Sequence, residues 1–286
     1  MSKQNNLKKI KQLRDLTGAG FKDCNNAIIE CNGDIEKSIE YLRVKGISKA
    51  SKKMERSAKE GLICLFGNKN SSSIIEINCE TDFVAKNDEY IKFCEEISEI
   101  NFNQKGDLDS IKKNKMKDGK IVNEKLIELI SKIGEKITIT RAAFISNSES
   151  ENFSYIHNLV NDNTGKLGVI ASIKGKNKDS EVFKDFGKKL CMHIAASNPL
   201  SITIDDLDKK LVENEKRIIE EELKSSGKPQ DIVDKISKGK LEKFRQENTL
   251  LNQYWVMDPQ KKVKEIIKDL NLDISIIDFI RYKVGE

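Results

Sequence analysis

The sequence is poor in proline, histidine and tryptophan, with three, two and one of each in 286 residues. So few histidines leave little material for general-base chemistry or metal ligation. Neither His157 nor His193 lies beside a serine or cysteine nucleophile motif, and GxSxG, HExxH and Walker-type glycine loops are missing. Thr17-Gly-Ala-Gly20 carries glycines but follows a helical pattern rather than a strand, so it is not a phosphate cradle. An enzyme is therefore not expected, and a binding protein is. The cysteines (Cys24, Cys31, Cys64, Cys79, Cys94 and Cys191) form no CxxC pair. Cys191-Met192-His193 approaches ligand spacing, but one such pair does not make a zinc site. No metal and no cofactor is expected, and the thiols read as buried and free in a reducing compartment, the cytoplasm. No apolar run reaches the roughly 18 residues of a membrane span. The opening stretch MSKQNNLKKIKQL lacks the apolar core of a secretion signal.

What is present is a mixed surface. Basic residues number 51 and acidic ones 46, a net charge of +5, and hydrophobic residues make up 37%. That supports a modest core and solubility rather than a dedicated phosphate-binding field, so direct nucleic-acid binding is not expected. The length suggests about two domains.

Residues 1–46 predict a three-helix module. Leu7, Ile10 and Leu13 share one helical face; Phe21, Cys24, Ala27, Ile28 and Cys31 share a second. Asn32-Gly33 stops that helix, and Asp34 caps a third carrying Ile35, Ile39 and Leu42. Basic residues crowd Arg43–Lys59, and residues 47–60 read as a basic linker; the stretch has no aromatic on which a base would stack.

From Gly61 the period becomes two. Residues 61–66 and 74–78 flank turn-forming Gly67-Asn-Lys-Asn-Ser-Ser, a hairpin. Two helices and a strand from Lys136 to Ile145 complete an α+β unit, residues 61–146. A similar order recurs over 147–204 and 248–286: strands at Phe153–His157 and Leu167–Ile173, a helix ending at Asn198-Pro199, a helix near Val263–Leu270 and a strand from Ile274 to Val284. Between them, residues 205–247 predict an antiparallel helical hairpin around a turn at Ser225–Pro229. Its narrow apolar stripes suit a protruding arm that pairs with a partner helix or packs on itself.

One stretch resists this pattern. In Ile77-Asn-Cys-Glu-Thr-Asp-Phe-Val-Ala-Lys-Asn-Asp88 the large ring of Phe83 falls where a strand ends and the chain turns polar. From the residues alone Phe83 fits a cap on the core, with Thr81 as N-cap and Asp82 as a first-turn acid. It also fits a projection toward another molecule.

Several stretches together resemble the translation elongation factor Ts family. They are Leu13-Arg-Asp-Leu-Thr-Gly-Ala-Gly-Phe-Lys-Asp-Cys24, Asn32-Gly-Asp-Ile-Glu36, Asn78-Cys-Glu-Thr-Asp-Phe-Val-Ala-Lys-Asn87, His193-Ile-Ala-Ala-Ser-Asn-Pro199 and Phe279-Ile-Arg-Tyr-Lys-Val-Gly-Glu286, in order along nearly the whole chain. The resemblance implies a ubiquitin-associated-like N-terminal module, a two-part core and a helical-hairpin dimerisation region. It implies guanine-nucleotide exchange on the GTPase elongation factor Tu. Thr81, Asp82, Phe83 and Val84 would intrude into that partner, Phe83 as a wedge between two of its helices. Arg14 and Phe21 would touch it from the N-terminal module, and His157 from the second subdomain. Where members often have a glycine-rich link after the Tyr-x-His strand, Asn158–Gly168 here reads as a longer, less glycine-rich one. Two other classes stay open on the residues: an adaptor whose helical module binds ubiquitin-like or peptide ligands, and an RNA- or ribosome-associated protein working through its basic stretch.

Overall fold

The computed structural model describes residues 3–17, 19–176, 178–224 and 229–286. Gly18, inside the expected Thr17–Gly20 break, lies outside the described residues, as do 225–228 of the expected Ser225–Pro229 turn.

Three helices come first: α1 (Lys3–Thr17), α2 (Phe21–Glu30) and α3 (Ile35–Lys53). Ile10, Leu13, Cys24, Ala27 and Ile28 meet between them in a small core of their own. Asn32 and Gly33 take the left-handed backbone that ends α2 (φ 54° and 81°). The Asp34 carboxylate then accepts from the Lys37 N–H at 3.1 Å, starting α3. The basic stretch expected as a linker from residue 47 is helical through Lys53, and only residues 54–59 separate α3 from the first strand. No proline or glycine follows Gly46 to stop α3, and its far end places Ala50 in the core of the next unit.

That unit contains β1 (Glu60–Gly67), β2 (Ser71–Cys79), a single turn α4 (Asp82–Ala85), α5 (Asp88–Asn103), α6 (Leu108–Lys113), α7 (Val122–Ile133) and β3 (Ile137–Ser146). The β1–β2 hairpin turns on Asn68, whose side-chain oxygen accepts from the N–H groups of Asn70 and Ser71 at 2.9 and 3.1 Å. The second unit has β4 (Glu151–Asn161), β5 (Thr164–Lys174), α8 (Glu181–Ser197), the arm helices α9 (Lys209–Lys224) and α10 (Gln230–Asn248), a small hairpin of β6 (Tyr254–Trp255) and β7 (Asp258–Lys262), α11 (Val263–Leu270) and β8 (Ser275–Lys283). The expected long link after His157 is strand instead. Both strands run on to a tight turn at Asp162-Asn163, with Leu159 paired to Gly165 and Asn161 to Thr164.

The two units share one plan: in each, the second strand is central, flanked by the first and the last. They are not separate sheets. Among the described residues six strands make one antiparallel sheet, joined where Ile63 and Cys64 of β1 pair with Gly165 and Thr164 of β5. Alternation along the strands sorts the apolar side chains into three sets. Leu62, Cys64, Ile75, Ile77 and Ile137 pack under α5 and α7. Leu167, Val169, Ala171 and Ile173 pack under α8. The opposite faces meet each other through Ile63, Leu65, Ile74, Ile145 and Ile170. Gly168 permits this approach, because a Cβ there would stand 2.7 Å from the Ile63 side chain.

Buried Glu76 ties the far end of the chain to the first unit. Its carboxylate accepts from Arg141 Nε at 2.5 Å and from the Gly285 N–H at 2.9 Å. Arg141 also stacks over Tyr282 at 4.1 Å and donates to the Lys283 carbonyl at 2.9 Å. In the arm, Ile219, Leu223 and Val233 pack against each other, while Leu211, Ile218 and Ile232 face outward. The arm leaves and re-enters the core side by side: the Leu200 N–H reaches the Asn248 carbonyl, and the Leu250 N–H the Ser201 carbonyl, both at 2.9 Å.

Candidate functional site

The stretch from Cys79 to Asn87 is a one-turn helix bolted to the end of β2. Thr81 caps it, its hydroxyl accepting from the Val84 N–H at 3.4 Å. Asn87 caps the helix that follows, accepting from Glu89 and Tyr90 N–H groups at 3.0 and 3.2 Å. Val84 and Ala85 are buried in the first core. Beneath them Tyr90 donates its hydroxyl to the Ile77 carbonyl at 2.5 Å, and the Cys79 thiol to the Thr81 carbonyl at 3.2 Å. Burial pushes that thiol up to about 12, so it stays a neutral packing group.

Phe83 points the other way. It is 81% exposed, the most exposed of the large apolar side chains among the described residues. A core-capping role is thereby removed. Asp82 beside it forms an i,i+4 pair with Lys86 at 2.9 Å, and that hydrogen bond holds its carboxyl below the usual range.

The base of the turn is gripped from a distant element. Gly134 ends α7 in a left-handed conformation (φ 91°), and Glu135 follows. Its carboxylate accepts from the Thr81 N–H at 3.0 Å and from the Thr81 hydroxyl at 2.8 Å. Glu80 returns the contact, accepting from the Lys136 N–H at 2.6 Å. Sequence reasoning missed Glu135 and Glu80. No local spacing links positions 54 residues apart; a carboxylate right after a helix-ending glycine was the available signal.

The other candidates lie on separate elements. Arg14 is exposed on α1, and Phe21 opens α2 with 54% of its surface exposed. Leu16 and Leu7, on α1 with Arg14, are exposed too, which adds apolar surface to that module. His157 is exposed on β4, its Nδ1 at 2.9 Å from the Tyr155 hydroxyl. Thus the structure gathers Thr81, Asp82, Phe83 and Val84 on one turn and leaves Arg14, Phe21 and His157 on two other surfaces. Among the described residues no group of three or more His, Cys, Asp or Glu could hold a metal ion. No described helix is long and apolar enough to cross a membrane.

Comparison with known proteins gives the family of the chain. A family model described as Elongation factor TS matches residues 80–286. The protein is 39% identical over 282 residues to Elongation factor Ts of Bartonella bacilliformis, covering 97% of this chain and 92% of that one. It is 40% identical over 281 residues to Elongation factor Ts of Brucella anthropi, with 97% and 92% covered. For Elongation factor Ts of Rickettsia felis the identity is 38% over 281 residues, with 97% and 91% covered.

Proposed function

This chain belongs to the elongation factor Ts family, nucleotide exchange factors of elongation factor Tu, and we propose that it works by driving the Phe83 turn into that GTPase. An exchange factor breaks no covalent bond. It binds the empty GTPase better than the loaded one, and linkage requires that nucleotide weaken the factor by the same ratio. It therefore needs a group that fits only a displaced arrangement of the partner.

Phe83 supports this role best: a large ring held 81% exposed on a turn whose neighbours are capped, buried and hydrogen-bonded. Burying it in a partner pocket is worth about 1.5–3 kcal/mol, or roughly ten- to a hundredfold in affinity. If that pocket opens only when partner helices shift, the whole of this difference favours the nucleotide-free state. Asp82 brings a negative charge to the same place, and Thr81 and Val84 hold the turn. Arg14 with Phe21, and His157, supply two further contacts that keep the factor attached while the wedge acts. Six free cysteines fit a cytoplasmic site of action.

The test is release of fluorescent GDP from elongation factor Tu in a stopped-flow instrument. Phe83→Ala is expected to slow catalysed release by roughly tenfold or more. A rate equal to the parent's removes the wedge from the account. The outward Leu211, Ile218 and Ile232 support a second copy as the partner of the arm. Deleting 205–247, whose ends lie side by side, then converts a dimer to a monomer by light scattering; a monomer both with and without the arm rules the arm out.

A further inference from the structure

Two carboxylates cross at the foot of the wedge. Glu135, in the link between α7 and β3, takes both the N–H and the hydroxyl of Thr81, at 3.0 and 2.8 Å. Glu80, just after β2, takes the N–H of Lys136 at 2.6 Å. The pair is braced from a third side. Lys136 Nζ donates to the carbonyls of Met54 and Arg56, both at 2.8 Å, where the chain leaves α3. Arg56 in turn lies 3.4 Å from Glu80. Thr81 is thus fixed at both its backbone and its side chain, two residues before the exposed ring.

We propose that Glu135 is a positioning residue for nucleotide exchange: its two-point grip on Thr81 presets the direction in which Phe83 enters the GTPase. The inference rests on the wedge reading above. A one-turn helix has few hydrogen bonds of its own, and an isolated turn is not stable in water. Val84 and Ala85 anchor one side of it, but they leave rotation about the Thr81 backbone to be settled. The Thr81 cap works only while Thr81 keeps its extended conformation (φ −128°, ψ 157°), and Glu135 is the group from a distant element that holds its N–H and hydroxyl. Without Glu135 the ring is still present and still exposed. It must then be ordered at the moment of insertion, and that ordering opposes the step in which nucleotide leaves. Glu135 meets the turn through its two hydrogen bonds to Thr81, so its removal acts through Thr81.

The experiment measures catalysed release of fluorescent GDP from elongation factor Tu against concentration of the full chain. It yields a maximal rate and a half-saturating concentration. Glu135→Ala is expected to lower the maximal rate about fivefold while the half-saturating concentration changes less than about twofold. Glu135→Gln, which retains a carbonyl acceptor for the Thr81 N–H, restores most of that loss. In a Phe83→Ala background Glu135→Ala causes no further loss, because it acts only through the ring. Should Glu135→Ala not fold, Thr81→Val carries the test, with a two- to threefold loss of maximal rate expected from removing the hydroxyl. A slow Phe83→Ala beside a Glu135→Ala variant of full maximal rate overturns the positioning role and leaves the wedge standing. Losses that multiply in the double variant overturn it as well. A Phe83→Ala variant as fast as the parent removes the wedge, and the positioning role with it.

Discussion

Both halves of the sheet leave their central strand through a capped connection, and each connection carries a phenylalanine, yet one ring is 81% exposed and the other fully buried. In the first half Thr81 is the cap, Phe83 the second residue of the turn and Val84 the third. In the second half Ser180 caps α8, accepting from the Phe183 N–H at 3.2 Å; Val182 is second and Phe183 third. In both, the second position faces out (Phe83, Val182) and the third faces in (Val84, Phe183). Successive helical residues are rotated by about 100°, so moving the cap by one residue relative to the ring exchanges core for surface. A buried Phe183 edges onto Phe153 at 5.6 Å and closes over Gly175, where a Cβ would stand 2.7 Å from the ring. The same residue type is a packing piece in one half and a projection in the other.

The comparison breaks first, and hardest, at the buried ring. Phe183→Ala is expected to cost about 3–5 kcal/mol of stability, read from urea denaturation. A loss below about 1 kcal/mol means that Phe183 is not the inward counterpart of Phe83.

Acid sharpens the contrast, because both histidines belong to the second half. His193 is buried beside Trp255, with Nε2 at 3.0 Å from Gln253 Oε1 and Nδ1 accepting from the Val256 N–H at 3.3 Å. Burial lowers its pKa from 6.5 to about 4. The folded value is the lower one, so between these limits the unfolded chain takes up a proton that the folded chain refuses. Stability is full above about pH 6.5 and falls as the pH drops toward 4, by about 3 kcal/mol in all. Urea midpoints at pH 7 and pH 4.5 measure the slope, and His193→Gln flattens it. An unchanged slope places the titration elsewhere.

Packing gives a smaller effect. Gly187 lets α8 lie close on β4, and a Cβ there would stand 2.4 Å from the Phe153 ring. Gly187→Ala is expected to destabilise by about 1–3 kcal/mol in the same assay; a neutral result means the helix has room to lift. Smallest of all is the stability effect of Phe83→Ala, within about 0.5 kcal/mol. A ring whose removal leaves the fold alone but slows GDP release belongs to the face that meets the partner, whereas a large stability loss returns it to this protein's own core.

Much of this architecture is legible in the chain itself. The three-helix module, the β1–β2 hairpin, the arm and the closing helix and strand all follow from local periodicity, caps and turn residues. The extent of α3 was less legible, since a run of lysines and serines between modules looks like a tether until Ala50 finds a core to enter. The end of β4 was hidden for a similar reason: Asn158–Asn163 is polar, and it pairs because β5 lies beside it. At the site, Thr81 and Asp82 are readable as cap and first-turn acid. The exposure of Phe83 is not, since a lone aromatic after a strand suits a core as well as a surface.

The chain by itself determined the segments and their caps, because these depend on neighbours within a few positions, whereas the outward turn of Phe83 waited on the fold. Only the folded molecule decided that Ile63 should pair with Gly165, that Glu76 should hold Gly285, and that Glu135 should grip Thr81. Such contacts join groups far apart along the backbone. Their existence depends on which surfaces must leave water together, a condition that no local pattern contains.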